Sequence, residues 1–232
     1  MAVEKTWGVF ATIAIAVLAF GLGQGAAAAS LSLLMGPSAL GQGLNAGAAV
    51  TLVTVVANAV VVVTLVLAAR VCGPAAAYLG LDRPPLRMVL FGLACVVSLI
   101  VLADGATWLT GRDLVPPVQL VMVRSAQAEG VLPLLLVALV LVAPVGEELL
   151  FRGFLFRGCA RSEIGARITI VAAAIAFAAL HVQYDWFGMA LVLLAGLLFG
   201  WMRWISGSTT LAILLHVVLN LAGVTETLFT AW

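Results

Sequence analysis

Charge is what this sequence has least of. Only 9% of its 232 residues are Asp, Glu, Lys or Arg, whereas 64% are hydrophobic. Soluble domains carry about 25% charged residues, so this chain has too few to cover a water-facing surface. Lipid is the solvent it is built for. The net charge is +1, so no basic or acidic face argues for nucleic acid or an acidic partner. Cysteine is scarce as well. Cys72, Cys95 and Cys159 are odd in number and far apart, which excludes a disulfide framework and any CxxC thiolate metal site. They read as small apolar residues within helices.

What is present in abundance is long apolar runs. Spanning the hydrocarbon takes about 20 apolar residues in a helix. Seven stretches meet or approach that length: 7–35, 44–69, 88–108, 131–156, 168–181, 186–204 and 209–229. The fifth is short unless Glu163 to Arg167 belongs to its helix. Gly36, Pro37, Gly41 and Gly43 read as a turn, as does the stretch from Gly73-Pro74 to Pro84-Pro85. Residues 119–130 are polar enough to lie at the interface rather than cross, and would add an eighth helix if they dip inward. Lys5 before an apolar run, with the small residues Ala26 to Ser30 after it, imitates a signal peptide. The apolar character continues to Met35, so an uncleaved first membrane helix is expected. The fold class is therefore an all-α, polytopic membrane bundle of about seven helices in one domain, 1–232. Its partner is the lipid bilayer.

Orientation follows from the basic residues of the short loops. A cytosolic N-terminus places Lys5, Arg70, Arg83, Arg87, Arg157, Arg161, Arg167 and Arg203 on the cytosolic side. Only Arg112 and Arg124 then face outward, and Arg152 stays inside a helix. The C-terminus is expected outside. A short chain rich in Ala, Val and Gly points to a bacterial plasma membrane.

Ionisable groups inside lipid cost about 2.5–3.5 kcal/mol each on insertion scales, so each needs a partner or a function. Asp104 lies near the outer end of the third span. The fourth span holds Glu147, Glu148 and Arg152. The two histidines of the chain, His181 and His216, close the fifth span and occupy the last one. Glu148 and Arg152 are four apart and share a helix face, where they can pair. Glu147 is rotated about 100° from Glu148 and lacks that partner. A buried carboxylate without a cation suits a general acid or base. Pro144 and Gly146 loosen the helix just upstream, where water or a peptide can approach. His216 and Asn220, also four apart, point to one place. Depth agrees with a shared site. At 1.5 Å per residue Glu147 lies about 15 Å from Arg157, His181 about 21 Å from Arg167 and His216 about 20 Å from Arg203.

These residues form a pattern. Glu147-Glu148-x-x-x-Arg152, Phe177-x-x-x-His181 and His216-x-x-x-Asn220 resemble the three motifs of the CPBP family of CAAX proteases and bacteriocin-processing enzymes. That family includes the type II CAAX prenyl endopeptidase and its bacterial relatives, also called Abi proteins. The resemblance runs from about residue 131 to 232. It implies an intramembrane endopeptidase acting on a membrane-associated or CAAX-like peptide. Glu147 and His181 would activate water; His216 and Asn220 would donate to the oxyanion; Glu148, Arg152 and Phe177 would support the site. An Asn amide and an imidazole N–H are suitable oxyanion donors on chemical grounds alone.

Metal use is open at this stage. Glu147, His181 and His216 form a conceivable zinc set, since two His and one carboxylate suffice for a catalytic zinc. The sequence lacks a His-Glu-x-x-His helix, and Asn220 is a poor zinc ligand, so a cofactor-free, glutamate-dependent route is expected. Two other readings of the same residues stand beside the protease: a non-catalytic membrane scaffold, and a proton-coupled transporter built on a Glu/His/Arg relay. Substrate identity and oligomeric state are not legible.

Overall fold

In the computed structural model, residues 5–36 and 47–232 are described. They form nine helices, with no strand among the described residues. These are α1 (Val9–Met35), α2 (Gly47–Cys72), α3 (Ala75–Tyr78), α4 (Leu86–Leu109), α5 (Pro117–Ala128), α6 (Leu132–Cys159), α7 (Glu163–Ala179), α8 (Trp186–Ser206) and α9 (Thr209–Ala231). Six of them are long and apolar enough to cross a membrane: α1, α2, α4, α6, α8 and α9. The expected turn at Pro37, Gly41 and Gly43, and the expected start of the second span at Leu44, lie outside the described residues.

The seventh expected span, α7, differs from expectation. It does take in Glu163 and Arg167, which pair at its exposed first turn (2.6 Å). Ser162 caps its first turn by accepting the Gly165 N–H. Yet α7 stops at Ala179 after 17 residues, about 25 Å of helix against a hydrocarbon core of about 30 Å. His181 therefore lies beyond the helix end, in a turn, and not within a span. The helix still joins the two ends of the bundle. Near its start, the Arg161 guanidinium donates to the carbonyl of Trp7, just before α1. Just past its other end, Asp185 pairs with Arg112 from the α4–α5 connection. Seven traverses connect the ends, one of them short.

Contacts among the loops follow the same alternation. Thr209 N donates to the Gly80 carbonyl (2.8 Å) and Ser208 Oγ to that of Asp82 (2.7 Å), so the α8–α9 and α2–α4 connections meet at one end. The latter connection is more than a turn, since it contains α3 and buries Tyr78 and Leu79 completely. At the opposite end, Glu129 accepts the N–H groups of Gly47 and Ala48 and so caps the start of α2 from the α5–α6 turn. Residues 119–130, expected at the interface, form most of α5 and this turn. Pro117 opens α5, a position where its missing N–H costs nothing.

Small residues set the closest packing. α1 buries Ala16, Ala19, Gly23 and Ala27 against Ala57, Val61 and Leu65 of α2. A Cβ at Gly23 would stand 2.7 Å from the Ala57 carbonyl, so only glycine lets these backbones approach. α6 is the central helix. Half of its most apolar stretch is buried, against 11–33% in the other spans. It packs on α1, α2, α7, α8 and α9.

Candidate active site

α6 does not run as a uniform α-helix. Residues Ala138–Val142 and Leu149–Leu155 are wound as π-helix, with Ala143 N–H bonding the Ala138 carbonyl and Phe156 N–H that of Phe151, each five residues back. The two widened turns flank the short α segment Ala143–Glu148, which carries Pro144, Gly146 and both glutamates. Such π turns concentrate at functional sites. Pro144 supplies no N–H to the ladder, and the loosening expected around Pro144 and Gly146 takes this form.

Glu148 and Arg152 pair as their spacing predicts, at 2.9 Å, with side chains 0% and 2% exposed. Arg152 also donates to the Gly196 carbonyl of α8 (2.7 Å). Its guanidinium lies 5.1 Å from the Phe177 ring centre and 5.6 Å from that of Phe199. The Arg152 carbonyl, on the second π stretch, accepts from Arg203 Nε (3.0 Å) and Thr209 Oγ1 (3.3 Å). One residue thus ties α6 to α8 and α9 through both its side chain and its backbone.

The same Glu148 oxygen receives His216 Nδ1 at 2.9 Å. This leaves His216 Nε2 facing Glu147, 3.8 Å from its carboxylate. The helical rotation separates the two acids. Glu148 is enclosed by its partners, whereas the Glu147 side chain is 29% exposed, on the cavity side. Phe177 occupies the centre of the group. Its ring lies 4.7 Å from that of His181, and 5.7 Å from that of His216 at 90°. Phe199 stacks on the other side of His216 (5.1 Å). His181 Nδ1 lies 2.8 Å from the Phe177 carbonyl. A carbonyl can only accept, so Nδ1 carries a proton, and in the neutral imidazole Nε2 keeps its lone pair. Asn220 donates one amide hydrogen to the Leu139 carbonyl (2.8 Å), which belongs to the first π stretch. The second amide hydrogen is left over.

Glu147, His181, His216 and Asn220 all line one cavity of about 550 Å³. A second cavity of about 250 Å³ reaches Glu147 and His181 from the side of α1 and α2. The four residues come from α6, the turn after α7, and α9, so the convergence inferred from depth is present in space. Arg152, Glu148 and Phe177 stand behind them. Several polar groups on the cavities escaped the sequence reading. Gln24 and Asn58, alone among apolar neighbours on α1 and α2, were recognisable as polar residues in spans. Gln183 and Tyr184, in the turn, and Gln119, on α5, carried no periodic signal. Asp104, expected near an outer helix end, lines the large cavity with Glu226.

The zinc alternative requires Glu147, His181 and His216 to close on one point. Among the described residues no three His, Cys, Asp or Glu side chains are grouped as metal ligands would be. His216 Nδ1 is engaged with Glu148, and His181 Nδ1 with a backbone carbonyl, which leaves the Nε2 atom of each ring to the cavity.

Comparison with known families places these features. Residues 129–222 match the model described as Rce1-like, type II CAAX prenyl endopeptidase Rce1-like. That segment runs from the start of the α5–α6 turn into α9 and includes all three motifs. No curated protein and no solved structure matches the chain. Over this segment the chain is similar to the type II CAAX prenyl endopeptidases, the family its three motifs resemble.

Proposed function

We propose that the protein is an intramembrane endopeptidase that hydrolyses a peptide bond of a membrane-associated, CAAX-like substrate. One observation carries the reading: Glu147, His181, His216 and Asn220, far apart in sequence, line a single cavity. Water held between Glu147 and the His181 Nε2 lone pair attacks the scissile carbonyl carbon. Its proton passes to the Glu147 carboxylate, which suits a general base. The carbonyl electron pair moves onto oxygen, and that oxyanion accepts from Asn220 and from His216 Nε2. Because His216 Nδ1 is committed to Glu148, Nε2 can donate only from the imidazolium form. Glu148 is then the counter-charge of both His216 and Arg152. Collapse breaks the C–N bond, and Glu147 returns its proton to the departing amine. One oxyanion donor is worth about 2.7–4 kcal/mol in a protease.

The test is cleavage of a fluorescence-quenched peptide ending in a farnesylated CAAX sequence, by purified protein in detergent where no gradient exists. Wild type should cleave it, and Glu147→Gln and His181→Ala should not. Full activity in either variant overturns the assignment of the water-activating pair. Cleavage by none of the three proteins, with the fold intact, favours the scaffold reading. Stoichiometric zinc whose chelation abolishes cleavage would overturn the cofactor-free route.

A further inference from the structure

His181 is the one member of the group that no helix holds. It follows Leu180, the last cap of α7, in a turn closed by Tyr184 N–H bonding the His181 carbonyl (3.0 Å). This turn brings the Tyr184 ring parallel to the imidazole, at 6.2 Å between centres and 10° between planes. Phe177 packs edge-on at 4.7 Å, so the imidazole has an aromatic neighbour before it and another after it in the chain. Such pairs are favoured at centroid separations of about 4.5–7 Å.

Tyr184 is itself anchored from a distant helix. Gln119 Nε2 of α5 donates to its hydroxyl at 2.8 Å. Gln119 Oε1 lies 3.0 Å from Thr227 Oγ1 of α9. The three side chains line the large cavity beside Glu147 and His181. Two local features seat the tyrosine. A Cβ at Gly188 would stand 2.9 Å from the Tyr184 Cβ, so glycine makes room for it. Asp185, the next residue, caps α8 through the Gly188 N–H (2.9 Å) and pairs with Arg112. The α4–α5 segment therefore grips the His181 turn twice, at Tyr184 and at Asp185. It lies wholly outside the matched residues 129–222.

We infer that Tyr184 is a positioning residue for His181, and that Gln119 of α5 holds Tyr184 in place through its hydroxyl. The inference rests on the proteolytic reading for its kinetic consequence only; the geometry it invokes can be tested without turnover. An imidazole that can swing no longer holds the water in line for attack, and misplacement of about 1 Å can cost up to about a hundredfold in rate.

Four variants test it on the farnesylated peptide: Tyr184→Phe, Tyr184→Ala, Gln119→Ala, and Tyr184→Phe with Gln119→Ala. Tyr184→Phe keeps the ring and loses the hydroxyl, so it guards against simple misfolding. Tyr184→Phe and Gln119→Ala should each lower kcat about tenfold with little change in KM. The double variant should be no worse than either single one, because both remove the same bond. Tyr184→Ala should lose more. Multiplicative losses in the double variant would overturn the link through Gln119. The second readout uses the fact that the chain has two histidines, which give two imidazole signals in a histidine-labelled NMR spectrum, assigned with His181→Gln. Tyr184→Ala should shift the His181 signal and leave that of His216 in place. An unmoved His181 signal overturns the inference even if the peptide is not cleaved. If Glu147→Gln is inactive while all Tyr184 and Gln119 variants keep full kcat, the protease reading stands and this inference falls.

Discussion

Glu147 and Glu148 are neighbours in the chain, yet one helical step of about 100° gives them opposite surroundings. Glu148 is closed in by Arg152 and His216, and its second oxygen and Arg152 Nε have no hydrogen-bond partner. A pair so enclosed is costly to break. Removing one partner of a buried pair strands the other and costs about 3–5 kcal/mol. Glu148→Ala is therefore expected to lower thermal stability in detergent sharply, together with activity; a melting temperature equal to wild type would refute the structural role. Glu147 has no such duty. Glu147→Gln should lower the cleavage rate by about 10²–10⁴, the usual contribution of a general base, while the melting temperature stays within a few degrees. The Glu148–Arg152 pair was legible from a spacing of four. The His216 contact to Glu148 was not, because it joins residues 68 apart and depends on how α9 is rotated against α6.

Elements place these residues by departing from regularity. The short α segment between the two π stretches of α6 carries Gly146, where a Cβ would stand 2.0 Å from Asn58 Oδ1 and 2.8 Å from Asn58 Cβ. Asn58 of α2 thus packs directly on the turn that presents Glu147. Gly146→Ala should part α2 from α6, with loss of both activity and thermal stability. Adding Asn58→Ala removes the amide but keeps a Cβ at 2.8 Å, so it should restore only part of the stability, as a melting series on the two singles and the double would record. The turn after α7 responds to acid instead. The Gly188 N–H, and then Arg112, hold the Asp185 carboxyl below the usual carboxylate range. A lowered pKa in the folded state means a contribution present at neutral pH and lost only as pH falls through that lowered value. The α8 cap should therefore persist at pH 5 and open only below about 3.9, the ordinary aspartate value. The Gly188 amide signal in a pH titration reads this directly, and Asp185→Asn should make it insensitive. The shortness of α7 was half visible in advance, in the polar residues Glu163 to Arg167. Its stop at Ala179 was not, since Leu180, His181 and Val182 give no helix-ending signal.

At the scale of the whole molecule, the family match covers residues 129–222, while α1, α2, α4 and α5 bring Gln24, Asn58, Asp104 and Gln119 to the same cavities. The N-terminal half is thus part of the chamber rather than packing alone. Seven traverses put the start of α1 and the end of α9 at opposite ends of the bundle. With Lys5 and seven arginines on one side against Arg112 and Arg124 on the other, the N-terminus should face the cytosol. Single cysteines introduced near each terminus on a background without Cys72, Cys95 and Cys159 test this. A membrane-impermeant thiol reagent should label the C-terminal one in intact cells and the N-terminal one only after lysis.

Composition alone determined that lipid surrounds this chain, because charge is too sparse for any other solvent. Spacing alone determined which side chains share a helix face, because the α-helix repeats every 3.6 residues. Neither rule reaches across helices. That Glu148 holds His216, that Phe177 stands between two imidazoles, and that α5 grips the turn bearing His181 were decided by packing. Contacts between distant segments depend on helix rotation, local π winding and the places where a glycine lets two backbones close, and the apolar pattern of a membrane helix is nearly the same on every face.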